Sequence, residues 1–124
     1  MYLLLQLIPS GNSKRLYNLI SSTLSQRTLD DFYRLFLIPG MDHCGNGPGA
    51  WAFGQFGLAS NAANDSAHNV LLALVDWVEN GDAPDVIIGT TVPGMGGNIT
   101  ATERMQCRYP QKSVFNGTSF VCQG

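Results

Sequence analysis

The sequence predicts an α/β fold, and three observations carry the prediction. Short apolar runs suited to strands alternate with stretches of helical spacing, the order expected when helices cross over a sheet. The run Phe32 to Ile38 is almost continuously apolar, as in a strand covered on both faces of a parallel sheet. That run stops at Pro39 and opens into a long glycine-rich loop, the kind of place where α/β folds carry functional groups. Two or three strands do not complete an open sheet, and no crossover precedes the first. The expectation is the last strands of a mostly parallel sheet, with further strands and covering helices upstream.

Taken in order, Tyr2 to Ile8 reads as a buried strand. It is apolar but short, lacks a basic leader and runs into Pro9-Ser10-Gly11, so it reads as a strand rather than a signal peptide. Asn12 to Leu24 is spaced as a helix, with Leu16, Ile20 and Leu24 on one stripe and Ser10 or Asn12 as cap. Phe32 to Ile38 is the next strand, and the loop from Pro39 to about Ala63 has a length that in a compact domain signals function. Ser66 to Glu79 is the clearest helix, with Val70, Leu71, Leu74 and Val78 on one face, Asp65 or Ser66 as cap and Asn80-Gly81 as stop. Asp85 to Val92 reads as a further strand, and the remainder as an irregular tail.

Composition narrows the function classes. The chain has 124 residues, enough for one modest domain. Its hydrophobic content of 44% against 13% charged residues describes a sequence that buries a core. A net charge of −2 with scattered basic residues gives no footing for nucleic acid or an anionic membrane surface. No apolar run is long enough to span a bilayer.

The three cysteines are Cys44, Cys107 and Cys122. Cys107 and Cys122 bracket a polar, turn-rich segment that a disulfide would restrain, and closing such a loop of about 15 residues is worth on the order of 3 kcal/mol. Three glycosylation sequons begin at Asn64, Asn98 and Asn116. Together these features favour an oxidising, extracellular location. Cys44 is then the odd cysteine, which points either to a partner elsewhere or to a reactive thiol.

The most informative feature is His43-Cys44 in the loop Pro39-Gly40-Met41-Asp42-His43-Cys44-Gly45-Asn46-Gly47-Pro48-Gly49-Ala50. In α/β hydrolases the catalytic order is Ser, then Asp or Glu, then His, with the histidine on a loop after one of the last strands. His43 stands where that order puts the general base. His68 sits near a helix start without special neighbours and reads as structural. A cysteine hydrolase built from Cys44 and His43 is disfavoured, because adjacent residues rarely form the nucleophile–base hydrogen bond. Two histidines and scattered cysteines show no metal-ligand spacing.

The loop just quoted, with Phe53-Gly54 after it, resembles the histidine loop of the tannase/feruloyl esterase family. The closing segment Arg104-Met105-Gln106-Cys107-Arg108-Tyr109-Pro110, then Phe115-Asn116-Gly117 and Ser119-Phe120-Val121-Cys122, is similar to that family's C-terminal signature. Leu7-Ile8-Pro9-Ser10-Gly11 with Leu16-Tyr17 resembles the segment after its catalytic aspartate. The likeness covers nearly all of residues 1–124 and about the C-terminal quarter of a typical member. It implies part of an α/β-hydrolase catalytic domain, without the lid and the nucleophile segment.

The resemblance implies that His43 is the catalytic base, that Cys44 forms a disulfide to a cysteine just before the nucleophilic serine, and that Cys107 pairs with Cys122. It implies secreted serine esterases acting on feruloyl or galloyl-like esters of plant cell walls or tannins through an acyl-enzyme. No cofactor is implied for this chain; the structural calcium of full-length members belongs to the lid. Two departures stand out. The position of the family's aspartate is Leu5, and neither Asp42, next to His43, nor Asp30 and Asp31, at the far end of the expected strand, replaces it. No serine stands in a nucleophile elbow: Ser10, Ser13 and Ser60 lack the G-x-S-x-G context. The expectation is a chain inactive by itself; the alternative is a non-enzymatic secreted module derived from the esterase scaffold.

Overall fold

Helix α1 (Ser10–Leu24) opens the part of the chain that the computed structural model describes, residues 10–55 and 64–124. The strand expected over Tyr2 to Ile8 lies outside these residues. The described chain divides between Leu35 and Phe36 into two compact units. In the first, α1 begins two residues before the expected start at Asn12 and buries a different stripe. Tyr17 is its buried residue, while Leu16, Leu19 and Leu24 are exposed. An aromatic ring with a polar tip wins that position because it fills space and satisfies a neighbour together. The ring lies 6.0 Å from that of Tyr33, and its hydroxyl donates to Asp30 Oδ1 at 2.6 Å. Ser25, at φ 68°, breaks α1 and caps α2 (Gln26–Asp30) by accepting from Thr28 N, which brings Leu29 into full burial.

The expected strand over Phe32 to Ile38 is corrected. Phe36 makes a single antiparallel bridge to Arg108, and Phe32 is 62% exposed. An apolar run becomes a strand only where a ladder partner is beside it, and here one bridge is the whole of the pairing among the described residues.

The second unit is organised by strands β1 (Val86–Thr90) and β2 (Glu103–Cys107), antiparallel with Val86 opposite Cys107 and Thr90 opposite Glu103. The tail expected to be irregular continues as a hairpin of β3 (Lys112–Phe115) and β4 (Phe120–Gln123). Its short alternations were masked by the polar turn around Asn116-Gly117, which is the hairpin bend. Phe115 and Phe120 face each other across that pair with rings 5.3 Å apart, and Arg104 of β2 lies over the Phe120 ring at 4.7 Å. Cys107 of β2 is bonded to Cys122 of β4, fastening the two sheets together. Every ladder among the described residues is antiparallel, so the parallel neighbours expected of the last strands are not found within them.

Helix α3 (Val70–Asn80) starts four residues later than the expected Ser66 because Asn69, not Asp65 or Ser66, is its cap. Asn69 Oδ1 accepts from Leu71 N and Leu72 N at 3.0 and 3.3 Å, and Gly81 at φ 80° ends the helix as Asn80-Gly81 suggested. The core under β1 is made by Trp51, Ala50, Ala52, Ile87 and Gln106. Ala52 exchanges both backbone hydrogen bonds with Thr90 (3.0 and 2.9 Å), so the chain leaving the glycine-rich loop is stitched to the edge of β1. No helix of the described residues is long and apolar enough to cross a membrane.

Candidate active site

The His43 loop is closed on itself by backbone bonds before any side chain is considered. Asp42 N donates to Asn46 O at 3.1 Å and Gly49 N to Gly40 O at 2.8 Å, so the segment carrying His43 and Cys44 is a tight bulge with its two feet together. Cys44 and Asn46 accept positive φ (65° and 67°), and at Gly47 (φ 97°) a Cβ would stand 2.3 Å from Gly40 O. This is the physical use of the glycines: backbone approaches backbone where no side chain fits.

From this base the loop runs into buried Ala50-Trp51-Ala52. Gln106 Nε2 donates to Ala50 O at 3.3 Å, and a Cβ on Gly89 would fall 2.1 Å from the same oxygen, so β1 and β2 hold the C-terminal foot of the loop closely. Gln106 went unremarked in the sequence, where nothing distinguishes a polar residue in a strand from a solvated one. Its burial to 1% exposure is a tertiary fact.

At the tip, His43 and Cys44 are both exposed, and Cys44 is a free thiol among the described residues. No carboxylate and no serine hydroxyl of the described residues makes a hydrogen bond or ion pair with His43. Asp42 gives its backbone N–H to the loop closure, and Asp30 accepts from Tyr17. Leu5, Ser60 and the resembled segment around Leu7 fall partly or wholly outside the described residues.

His68, expected to stand without special neighbours, is corrected. It lies in the turn before α3 with Nδ1 at 2.8 and 3.0 Å from the two Asp65 carboxylate oxygens and Nε2 4.0 Å from Glu103 Oε1. The His68 side-chain hydrogen bond holds the Asp65 carboxyl below its ordinary value, against a smaller opposing effect of desolvation. Ala67 O accepts from Ile88 N at 2.8 Å, so a backbone bond beside His68 joins the approach to α3 to β1. Among the described residues no group of three or more His, Cys, Asp or Glu converges on a metal.

The sequons differ in setting. Asn116 is exposed, with Oδ1 accepting from Thr118 N and Ser119 N at 2.9 Å each. Asn64 is exposed. Asn98 is half-buried and turned inward, its amide nitrogen 3.0 Å from Met95 O and 3.4 Å from Gly47 O.

Residues 6–123 match the family model described as tannase and feruloyl esterase. This chain belongs to the tannase and feruloyl esterase family. A probable feruloyl esterase B-2 of Aspergillus terreus is 44% identical over 114 residues, which cover 90% of this chain and 21% of that protein. A probable feruloyl esterase B of Aspergillus clavatus is 42% identical over 114 residues, with 90% and 22% covered. The crystal structure of feruloyl esterase B from Aspergillus oryzae superimposes with a TM-score of 0.80 at 39% identity, over 94% of this chain and 24% of that one. A tannin acyl hydrolase from Aspergillus niger shares the fold, with a TM-score of 0.65 at 23% identity over 94% of this chain and 20% of that one. The fold is thus that of the tannase/feruloyl esterase type of α/β-hydrolase, as the resemblance implied. The chain spans about a fifth of the length of the relatives it matches.

Proposed function

We propose that residues 1–124 are the C-terminal, histidine-bearing portion of a carboxylic ester hydrolase that cleaves aromatic esters of the feruloyl or galloyl kind, with His43 as general base. The observation that carries the reading is His43 itself. It is exposed at the tip of a loop whose feet are locked by backbone and glycine packing, within a segment that matches the family from residue 6 to 123.

In this reading the imidazole of His43 takes the proton from a serine hydroxyl as its oxygen attacks the ester carbonyl. It returns that proton to the leaving alcohol as the tetrahedral intermediate collapses to an acyl-enzyme. The same nitrogen then activates water, whose attack releases the acid and the serine. The serine and an orienting carboxylate would come from protein outside these 124 residues, which is why the isolated chain is expected to be inactive. Cys44, exposed beside His43, would tie the loop by a disulfide to the segment carrying that serine. The Cys107–Cys122 bond and the exposed sequon at Asn116 support passage through the secretory route.

The test is complementation. The upstream three-quarters of a feruloyl esterase B, supplied in trans or fused ahead of this chain, should yield hydrolysis of methyl ferulate or methyl gallate. His43→Ala should lower kcat by at least about 10³-fold, in line with loss of a triad member. Peptide mapping should show Cys44 bonded to the complementing part. A folded complex without turnover would return the chain to the reading of a non-enzymatic secreted module.

A further inference from the structure

The connection between β1 and β2, residues 91–102, is a compact loop sewn shut at its base. Thr91 Oγ1 donates to Thr100 O (3.0 Å) and accepts from Thr102 N (2.8 Å), and Thr91 N donates to Thr102 O (3.0 Å). Its tip is internally bonded as well: Met95 N to Val92 O, Asn98 N to Met95 O and Gly94 N to Asn98 O, all between 2.9 and 3.1 Å. A loop so fully bonded to itself is a rigid object, and it is set against the His43 loop. A Cβ on Gly96 would lie 1.8 Å from Gly47 O and 2.2 Å from Gly47 C, so the two backbones are in direct contact there. Beside that contact the Asn98 amide reaches Gly47 O at 3.4 Å while also holding Met95 O at 3.0 Å.

We infer that Gly96 and Asn98 are positioning residues for the His43 loop, and that Asn98, despite its sequon, is a brace rather than a glycan acceptor. The assignment rests on His43 being the general base. Gly47 stands at the foot of the bulge that carries His43: its carbonyl is gripped from the 91–102 loop, and a Cβ placed on it would run into Gly40 O. Pushing Gly47 outward therefore moves the exposed tip and with it the imidazole. A primary amide nitrogen has two hydrogens, and here two carbonyls face it. An N-linked sugar would take the place of one hydrogen and require room on the side where Gly47 stands.

The assembled complex of this chain with its upstream portion tests the brace, with turnover counted per active site titrated by a serine-directed organophosphate. Gly96→Ala should lower kcat per titrated site about 100-fold, the scale of an ångström-level misplacement, with KM within about twofold. Asn98→Asp, which removes the donor, should lower it about tenfold, and exposed Ile99→Ala should leave it unchanged. Counting per titrated site removes the misfolded fraction that a merely structural defect would produce.

Amide hydrogen exchange of Asp42 and Gly49, whose bonds close the His43 loop, should quicken in the Asn98→Asp chain whether or not the complex turns over. In wild-type protein from a secretory host, the Asn98 peptide should carry no glycan mass. Unchanged kcat per site together with unchanged exchange in Asn98→Asp would overturn the brace, as would an occupied Asn98 in active protein. Turnover that survives His43→Ala would instead sink the base assignment, and exchange would then decide the brace on its own.

Discussion

The β1–β2 core with its attached His43 loop and the helix α3 treat their apolar residues in opposite ways. Around β1, Trp51 is fully buried, the Ala50 and Thr90 backbones are in contact with glycine or bridged, and polar Gln106 is taken inside. On α3 the stripe that the sequence marks as its buried face is turned outward, with Leu71 65% and Val78 76% exposed and Ala73 as the buried contact. The difference teaches where the chain is self-sufficient. Backbone-level packing between loop and hairpin is complete within these residues. The apolar stripe of α3 stays largely exposed, and an exposed stripe of that kind is where other protein surface packs.

Four measurements would sharpen or break that contrast, beginning with the largest effect. Trp51→Ala should destabilise the chain by about 3–5 kcal/mol, the scale for a buried large aromatic, whereas Val78→Ser should stay within about 0.5 kcal/mol. Urea midpoints of the two variants would decide it, and equal losses would mean that α3 is covered after all. Replacing Cys107 and Cys122 by serine should cost about 3 kcal/mol for a loop of the observed separation of 15 residues, and should leave the β3–β4 hairpin loosened as read by amide exchange.

Tyr17→Phe should cost about 1–2 kcal/mol by removing the 2.6 Å bond to Asp30, the polar anchor of α1, with thermal melting as the readout. The smallest effect is pH-dependent. Because the Asp65 carboxyl titrates below its ordinary value of 3.8, its contribution is present above about pH 4 and fades as the pH falls through the lowered value. Asp65→Asn should flatten that part of the stability profile, and identical profiles for variant and parent between about pH 2 and 4 would remove the Asp65–His68 pair from the account.

Much of the site was legible in the chain itself. A proline stop followed by Gly40, Gly45, Gly47 and Gly49 around His43 announces a loop in which backbone must approach backbone, and it does. Asn80-Gly81 ended α3 as its left-handed cap requires. The tail was misread because β2, β3 and β4 are each only four or five residues long, too short for a period of two to stand out against Arg, Gln, Lys and Ser. The run from Phe32 to Ile38 erred in the other direction: its composition suits a strand, but composition does not supply a neighbour. Asn98 carried a signal that pointed elsewhere, to a sequon, and Gly96 carried none.

By itself, then, the sequence determined the features set by local chemistry: the glycine-shaped His43 loop, the helix stop at Gly81, the cysteines that close the tail and the family signature around them. Tertiary structure alone decided which helix face is buried, that Tyr17 rather than Leu16 anchors α1, that Gln106 lies in the core, and that the 91–102 loop bears on Gly47. Local features follow from φ preferences and capping bonds within a few residues. The others depend on contacts between residues some fifty positions apart, as between Gly47 and Asn98, and no short-range pattern encodes which distant backbone will arrive.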